Sequence, residues 1–275
     1  MAIGDMSQVM NMVVNKLCSN IKYWHKSDDI LEQTLEAFVE LTVTSYSSSK
    51  TLLSLETVNF LVHNHVGAHF PFLGYDNDNK YRVTFYSALS RLVFSSSVDL
   101  NNSFDTFIAP NLEIIAQLSQ TADIRTPAVK IALLGALRDL RGITESTYNK
   151  RTYNLLFDAL YPDAFPLLVR VAEKWYDDAT VMTALLKFIK VCFFSLSHIF
   201  YHDSSLPAKI LHSSYLQFQN EISFRFYSHL YHFSNLIIAF VKVIGYFYET
   251  SILLHFLKHL MCVRLLRNSA ITLAL

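Results

Sequence analysis

Amphipathic helix pairs recur along this chain at a nearly constant period. Helix-opening positions near Ser7, Ser54, Asn101 and Glu145 follow one another at steps of 47, 47 and 44 residues. A repeat of that length has a physical meaning. One helix pair is too small to bury its own apolar face, and stacking on the next pair closes the core. No run of alternating apolar and polar residues competes for a sheet. Only 6 Gly and 6 Pro punctuate 275 residues, too few for a turn-rich β fold. The expected fold is therefore all-α, an α-solenoid of HEAT-like or armadillo-like helix pairs, with four pairs and part of a fifth. Solenoids of this kind are binding scaffolds with an extended surface.

Local signals support the pattern. Leu31, Leu35, Phe38 and Thr42 line one face of the second helix, and Glu32, Glu36 and Glu40 line another. Asp29 followed by Glu32 reads as a capping-box start. Leu55, Val58, Leu61 and Val62 mark the next helix, and the turn formers of residues 74–79 follow it. Val83, Tyr86, Leu89 and Val93 then resume a helical stripe. The best-delimited helix spans residues 127–141: Thr126 suits the N-cap, Pro127 the first turn and Gly142 the residue past the end. Arg138 and Arg141 then fall in its last turn, against the negative end of the helix dipole. Pro110 lies inside a helical stretch and predicts a kink or break there. Asp163 is the expected cap of a helix with Phe165, Leu168, Ala172 and Trp175 on one face.

Composition divides the chain near Lys190. Residues 191–275 hold 16 aromatic residues and 7 of the 11 histidines, but only Asp203, Glu221 and Glu249 of the 23 acidic residues. Two segments are expected: a solenoid over residues 1–190 and an atypical aromatic- and His-rich tail over 191–275. Within the tail, residues 226–248 approach the length of a membrane span, but His229, His232, Asn235 and Lys242 are unwelcome in lipid. A low-charge, aggregation-prone segment is the better reading. Formal charge is zero, with 23 basic and 23 acidic side chains, which gives no nucleic-acid footprint. Cys18, Cys192 and Cys262 are too far apart in sequence to suggest a disulfide framework, which points to a reducing compartment. No signal peptide is read at the start.

Several blocks resemble one family when taken together. They are Asn20-Ile21-Lys22-Tyr23-Trp24, NHVGAHFPFLG from Asn64 to Gly74, and RVTFYSALSRLV from Arg82 to Val93. KIALLGALRDLRGI from Lys130 to Ile143, LLFDALYP ending at Pro162, and Trp175-Tyr176-Asp177-Asp178 complete the series. In this order and spacing, over roughly residues 6–190, the chain resembles the exportin-7 family of Ran-binding nuclear transport receptors in the importin-β superfamily. The resemblance implies a middle portion of a longer receptor. It implies partners in Ran bound to GTP, protein cargo and nucleoporins, and a place in nucleus, cytoplasm and nuclear pore. The amino-terminal repeats with which such receptors grip Ran are expected to lie outside this stretch. The tail is expected to depart from the family pattern. Lys190-Val191-Cys192 can be encoded by a splice-donor string, so residues beyond it read as translated intron.

Candidate sites are few. His63, His65 and His69 form an H-x-H-x3-H run, but Gly67 interrupts the helix that would align them and no acid or Cys stands nearby. Packing between helices is the expected role, with no metal. Arg138, Asp139 and Arg141 either contact a partner or form a ladder in which Arg and Asp of successive repeats pair; the ladder is favoured. The Glu32, Glu36, Glu40 stripe reads as a solvated face rather than a cargo site. Tyr23, Trp24, Trp175 and Tyr176 read as core or inter-repeat filler. No catalytic or cofactor motif is present, so no enzyme and no cofactor is expected.

Overall fold

The repeat period becomes four stacked helix pairs. The computed structural model describes residues 6–43, 46–74, 80–95, 100–161 and 163–203. Among them are α1 (Met6–Tyr23), α2 (Asp28–Val43), α3 (Tyr46–Leu53), α4 (Glu56–His63), α5 (Arg82–Ser95), α6 (Leu100–Gln120), α7 (Pro127–Thr144), α8 (Lys150–Leu160), α9 (Ala164–Lys174) and α10 (Ala179–Asp203), with no strand. The helices form two layers. In the first, α1, the broken helix α3–α4, α6 and the broken helix α8–α9 follow one another. In the second, α2, α5, α7 and α10 stack in that order. The chain is an α-solenoid.

Long-range polar contacts report the same period. Tyr81 donates to Glu32, Arg82 to Asp139, Ser146 to the Ser87 carbonyl, Arg170 to the Thr121 carbonyl and Ser195 to the Thr144 carbonyl. These partners lie 49, 57, 59, 49 and 51 residues apart. Each pair thus grips its neighbour, as a quasi-one-dimensional stack requires.

Burial follows the stripes. Leu31, Leu35, Phe38 and Thr42 are buried on α2, and Phe165, Leu168, Ala172 and Trp175 on or beside α9. Each large apolar side chain so buried contributes about 1.5–3 kcal/mol. The centre lies at α5, buried almost all round. Phe85 there meets Phe38 of α2 and both Phe70 and Phe72 of the preceding loop, with ring centroids 5.2–6.3 Å apart. The loop after α4 therefore turns inward, and its 3-10 turn Pro71–Leu73 is core.

Helix ends depart from the local expectations in four places. α2 opens at Asp28, with the Ser27 carbonyl accepting from Leu31 N–H, so Asp29 sits in the first turn rather than at the cap. Thr126 does cap α7 and Pro127 does occupy its first position, but the helix runs on to Thr144. Gly142 is thus a helical residue with ordinary φ, kept small by α5 alongside. Arg138 in turn falls a turn short of the end, and Arg141 alone is the base of the last turn. Asp163 stands at the N-cap of α9 but its side chain makes no cap bond. The helix expected near Glu145 opens at Lys150 instead, because Asn149 and Thr152 form a capping box.

Two further positions fall inside helices. Pro110 sits inside α6, which remains one helix. Lys190, where the composition changes, lies within α10, and Cys192 and Ser195 beyond it are buried in the stack. The rest of the 191–275 tail after Asp203, including 226–248, and the turn formers at 75–79 lie outside the described residues. Among the described residues no helix is long and apolar enough to cross a membrane.

Candidate partner-binding surface

The Arg138-Asp139-x-Arg141 run is split by the fold. Asp139 points inward, with its side chain 1% exposed. There it meets Arg82 of α5, whose Nε and Nη2 donate to its two carboxylate oxygens at 2.6 Å each. Nη1 of Arg82 donates to the Leu73 carbonyl at 2.5 Å, and Asn111 of α6 adds Nδ2 at 3.3 Å to Asp139. One buried fork therefore ties α5, α6, α7 and the inward loop. Burial raises the Asp139 carboxyl above its ordinary range, while the Arg82 charge and hydrogen bonds pull it back down. Arg138 adds its positive charge beside the Asp139 carboxylate, and Arg141 pairs elsewhere. Arg138 is half-buried, and Arg141 Nε donates to Glu145 one turn on at 2.9 Å. Arg82 was the residue the sequence concealed. Its signal was a base opening a helix whose other residues, Arg91 apart, are apolar or hydroxyl-bearing.

The histidine run disperses. His63 contacts the Asn59 carbonyl at 2.7 Å, and His69 stands edge-on to Phe60. His65 is buried, with Nε2 donating to the Phe107 carbonyl at 2.9 Å and Nδ1 3.2 Å from the Tyr86 hydroxyl. Since a carbonyl only accepts, Nε2 carries the proton and Nδ1 accepts from Tyr86. Phe107 lies in the turn just before Pro110. His65 thus ties the loop after α4 to α6. Burial is the main cause that lowers the His65 pKa from 6.5 to about 4.

A pH dependence follows. The unfolded chain takes up a proton near pH 6.5, whereas folded His65 does so only near 4. Stability is therefore full above about 6.5 and is lost as pH falls toward 4, by up to about 3 kcal/mol. Urea midpoints measured at pH 7 and pH 4.5 should fall farther in the wild type than in His65→Gln. Equal falls would refute the assignment.

The four turn aromatics do not share one role. Trp175 is buried, but Tyr23, Trp24 and Tyr176 are 71%, 53% and 50% exposed. The last three sit at or beyond the ends of their helices' buried stripes, so they do not serve as filler. Trp175 anchors an edge latch instead. Arg125 lies over its ring at 5.1 Å and Lys130 at 5.9 Å. Arg125 also pairs with Asp177 at 2.9 Å, and Lys130 with Asp178. Asp178 Oδ1 accepts from Thr180 and Val181 N–H, capping α10. Arg170 closes the other side by donating to the Ser119, Thr121 and Ala122 carbonyls at the end of α6.

With the central Arg82–Asp139 charge closed on itself, the stack offers its outer faces. α7 is held between α5 and α10 and lies over α6. Beyond its first turn, its partly exposed residues include a stripe of Ile131, Leu134, Arg138 and Arg141. On α2 the exposed face carries Glu32, Glu36 and Glu40, and Glu32 accepts from Tyr81 at 3.3 Å. No group of three metal-ligating side chains converges among the described residues.

Comparison with known proteins agrees with this architecture. The family model described as exportin-7-like, TPR domain, matches residues 1–81. Ran-binding protein 17 of Homo sapiens is 34% identical over 219 residues, and Exportin-7-B of Xenopus laevis 32% over the same length. Each match covers 77% of this chain and 20% of the relative. Exportin-7 of Dictyostelium discoideum is 32% identical over 204 residues. The 77% share exceeds what residues 1–190 alone make up. No solved structure matches the chain.

Proposed function

Because this chain belongs to the exportin-7 family and spans about a fifth of the length of the curated relatives it matches, we propose that it is a stretch of a nuclear transport receptor. In this reading it binds protein partners on its outer faces and performs no chemistry. The partners are Ran in its GTP form, protein cargo and nucleoporins, met in nucleus, cytoplasm and nuclear pore. The observation that carries the reading is the unbroken stack of four helix pairs whose central buried charge, Arg82–Asp139, is used up in holding the scaffold.

Mechanism in such a scaffold is linkage. If Ran and cargo share one solenoid, each raises the affinity for the other by the same factor, and GTP hydrolysis releases both. Because each repeat touches only its neighbours, small rotations between pairs add along the stack and carry the coupling.

The test is capture of Ran by the full chain. Ran loaded with a non-hydrolysable GTP analogue should be retained, and Ran bound to GDP should not. Capture in neither state favours the alternative, a truncated scaffold remnant with no independent transport activity.

A further inference from the structure

The zero net charge conceals a segregated layer. α2 carries Asp28, Asp29, Glu32, Glu36 and Glu40 and no base. α5 and α7 carry Arg82, Arg91, Lys130, Arg138 and Arg141, and α10 adds Lys187 and Lys190. Against these stand Asp139, paired with Arg82, Asp178 at the cap of α10, paired with Lys130, and Asp203 at the far end of α10. The second layer is thus acidic at its first helix and basic from α5 onward.

The basic end is also apolar. On the α7 stripe, Ile131 is 38% exposed and Leu134 half-buried, and Arg138 and Arg141 follow at helical spacing. On neighbouring α10, Lys187 and Lys190 are exposed, with Leu186 beside them. Ile131 to Arg141 spans about 15 Å of helix. That is enough for about three turns of side-chain contact with a bound segment.

We propose that this α7–α10 face docks an acidic polypeptide segment, with carboxylates on Arg138, Arg141, Lys187 and Lys190 and apolar side chains on Ile131 and Leu134. The proposal rests on the partner-binding reading and names the chemistry of one partner. Charge complementarity identifies the occupant. The acids of α2 repel such a segment and so hold it to the α7–α10 end, a use of like charge for register. The Arg141–Glu145 pair leaves Arg141 about a third exposed, so it still faces the docked segment. A nucleic acid is less well suited. It prefers stacking aromatics beside its phosphate contacts, and the α7 stripe has none.

The test uses the full chain and three fluorescein-labelled probes read by anisotropy at low salt. They are a 16-residue peptide of glutamate and leucine with leucine at helical spacing, the same peptide with lysine for glutamate, and a 16-nucleotide single-stranded DNA. The wild type should prefer the acidic peptide. Arg138→Glu with Lys187→Glu and Lys190→Glu should weaken that binding by about tenfold or more and turn preference to the basic peptide. Should the triple variant fail to fold, Lys187→Gln with Lys190→Gln should weaken acidic-peptide binding in the same direction. Glu36→Gln with Glu40→Gln should leave it undiminished. No preference in the wild type, equal binding by the charge variants, or tighter binding of DNA with the same dependence would each overturn the proposal. Ran capture separates the two readings. Capture of Ran·GTP without acidic preference overturns this proposal alone, whereas acidic preference without capture supports it and favours a scaffold remnant with no independent transport activity.

Discussion

Replacing Asp139 with alanine should destabilise the stack by about 3–5 kcal/mol, because it leaves the Arg82 guanidinium buried without its counter-charge. The geometry allows little relief. Arg82 is 3% exposed on its side chain, so water cannot replace the lost oxygens without opening the α5–α7 contact. Nη1 keeps its bond to the Leu73 carbonyl, but Nε and Nη2 lose the carboxylate oxygens they donated to. Arg82→Ala should cost a similar amount by stranding the carboxylate, whose burial already raises its pKa. Arg82→Lys keeps the charge and should still lose stability, since an ammonium cannot reproduce the fork. The informative variant is the double one. Arg82→Met with Asp139→Leu removes both charges and fills similar volume, and should recover most of the loss. Equilibrium urea unfolding gives all four values. If either single alanine costs less than about 1 kcal/mol, the pair is solvated and behaves as a surface bridge.

How far the sequence reveals this arrangement depends on how local each cause is. The α2 stripe and the Thr126–Pro127 start were legible because a 3.6-residue period and a cap are set within one or two turns. Family membership was legible because several blocks agreed in order. What escaped was tertiary. Asp139 in an Arg-Asp-x-Arg run looks like surface charge, and only its partner 57 residues away makes it core. Asp163 occupies the cap position, yet whether its oxygen reaches an N–H depends on a backbone turn that sequence does not fix. Tyr23, Trp24 and Tyr176 read as filler because aromatics usually are, but their place in the turns leaves them exposed. Charge balance misled in a different way. Summing over the chain erased the separation of acids on α2 from bases on α7 and α10, and only stacking order restores it. For the candidate site, sequence supplied Arg138 and Arg141, whereas Lys187 and Lys190 joined them only once α10 was seen beside α7.

Gly142→Ala tests the helix crossing on which that order depends, and its sign is the informative part. In an exposed helix interior the change would stabilise, since alanine exceeds glycine in helix propensity by about 1 kcal/mol. Here a Cβ at residue 142 would stand 2.5 Å from the Val83 carbonyl oxygen, 3.0 Å from Tyr86 Cβ and 3.1 Å from Ser87 N. Two of those atoms belong to the α5 backbone, so no rotamer change relieves them. The helices must separate, and overpacking of this kind costs about 1–3 kcal/mol net or more. Separation also stretches the Ser146 bond to the Ser87 carbonyl and the Arg82 fork, both of which bridge the same two helices. The cost should therefore be non-additive with Asp139→Ala, because the first opening already spends part of what the second would lose. Gly142→Val should be worse again, both in bulk and in helix propensity. Thermal melts of Gly142→Ala, Asp139→Ala and the double variant decide the matter. A stabilised alanine variant, or strict additivity with Asp139→Ala, would mean that α5 and α7 do not cross at this glycine as tightly as the 2.5 Å approach requires.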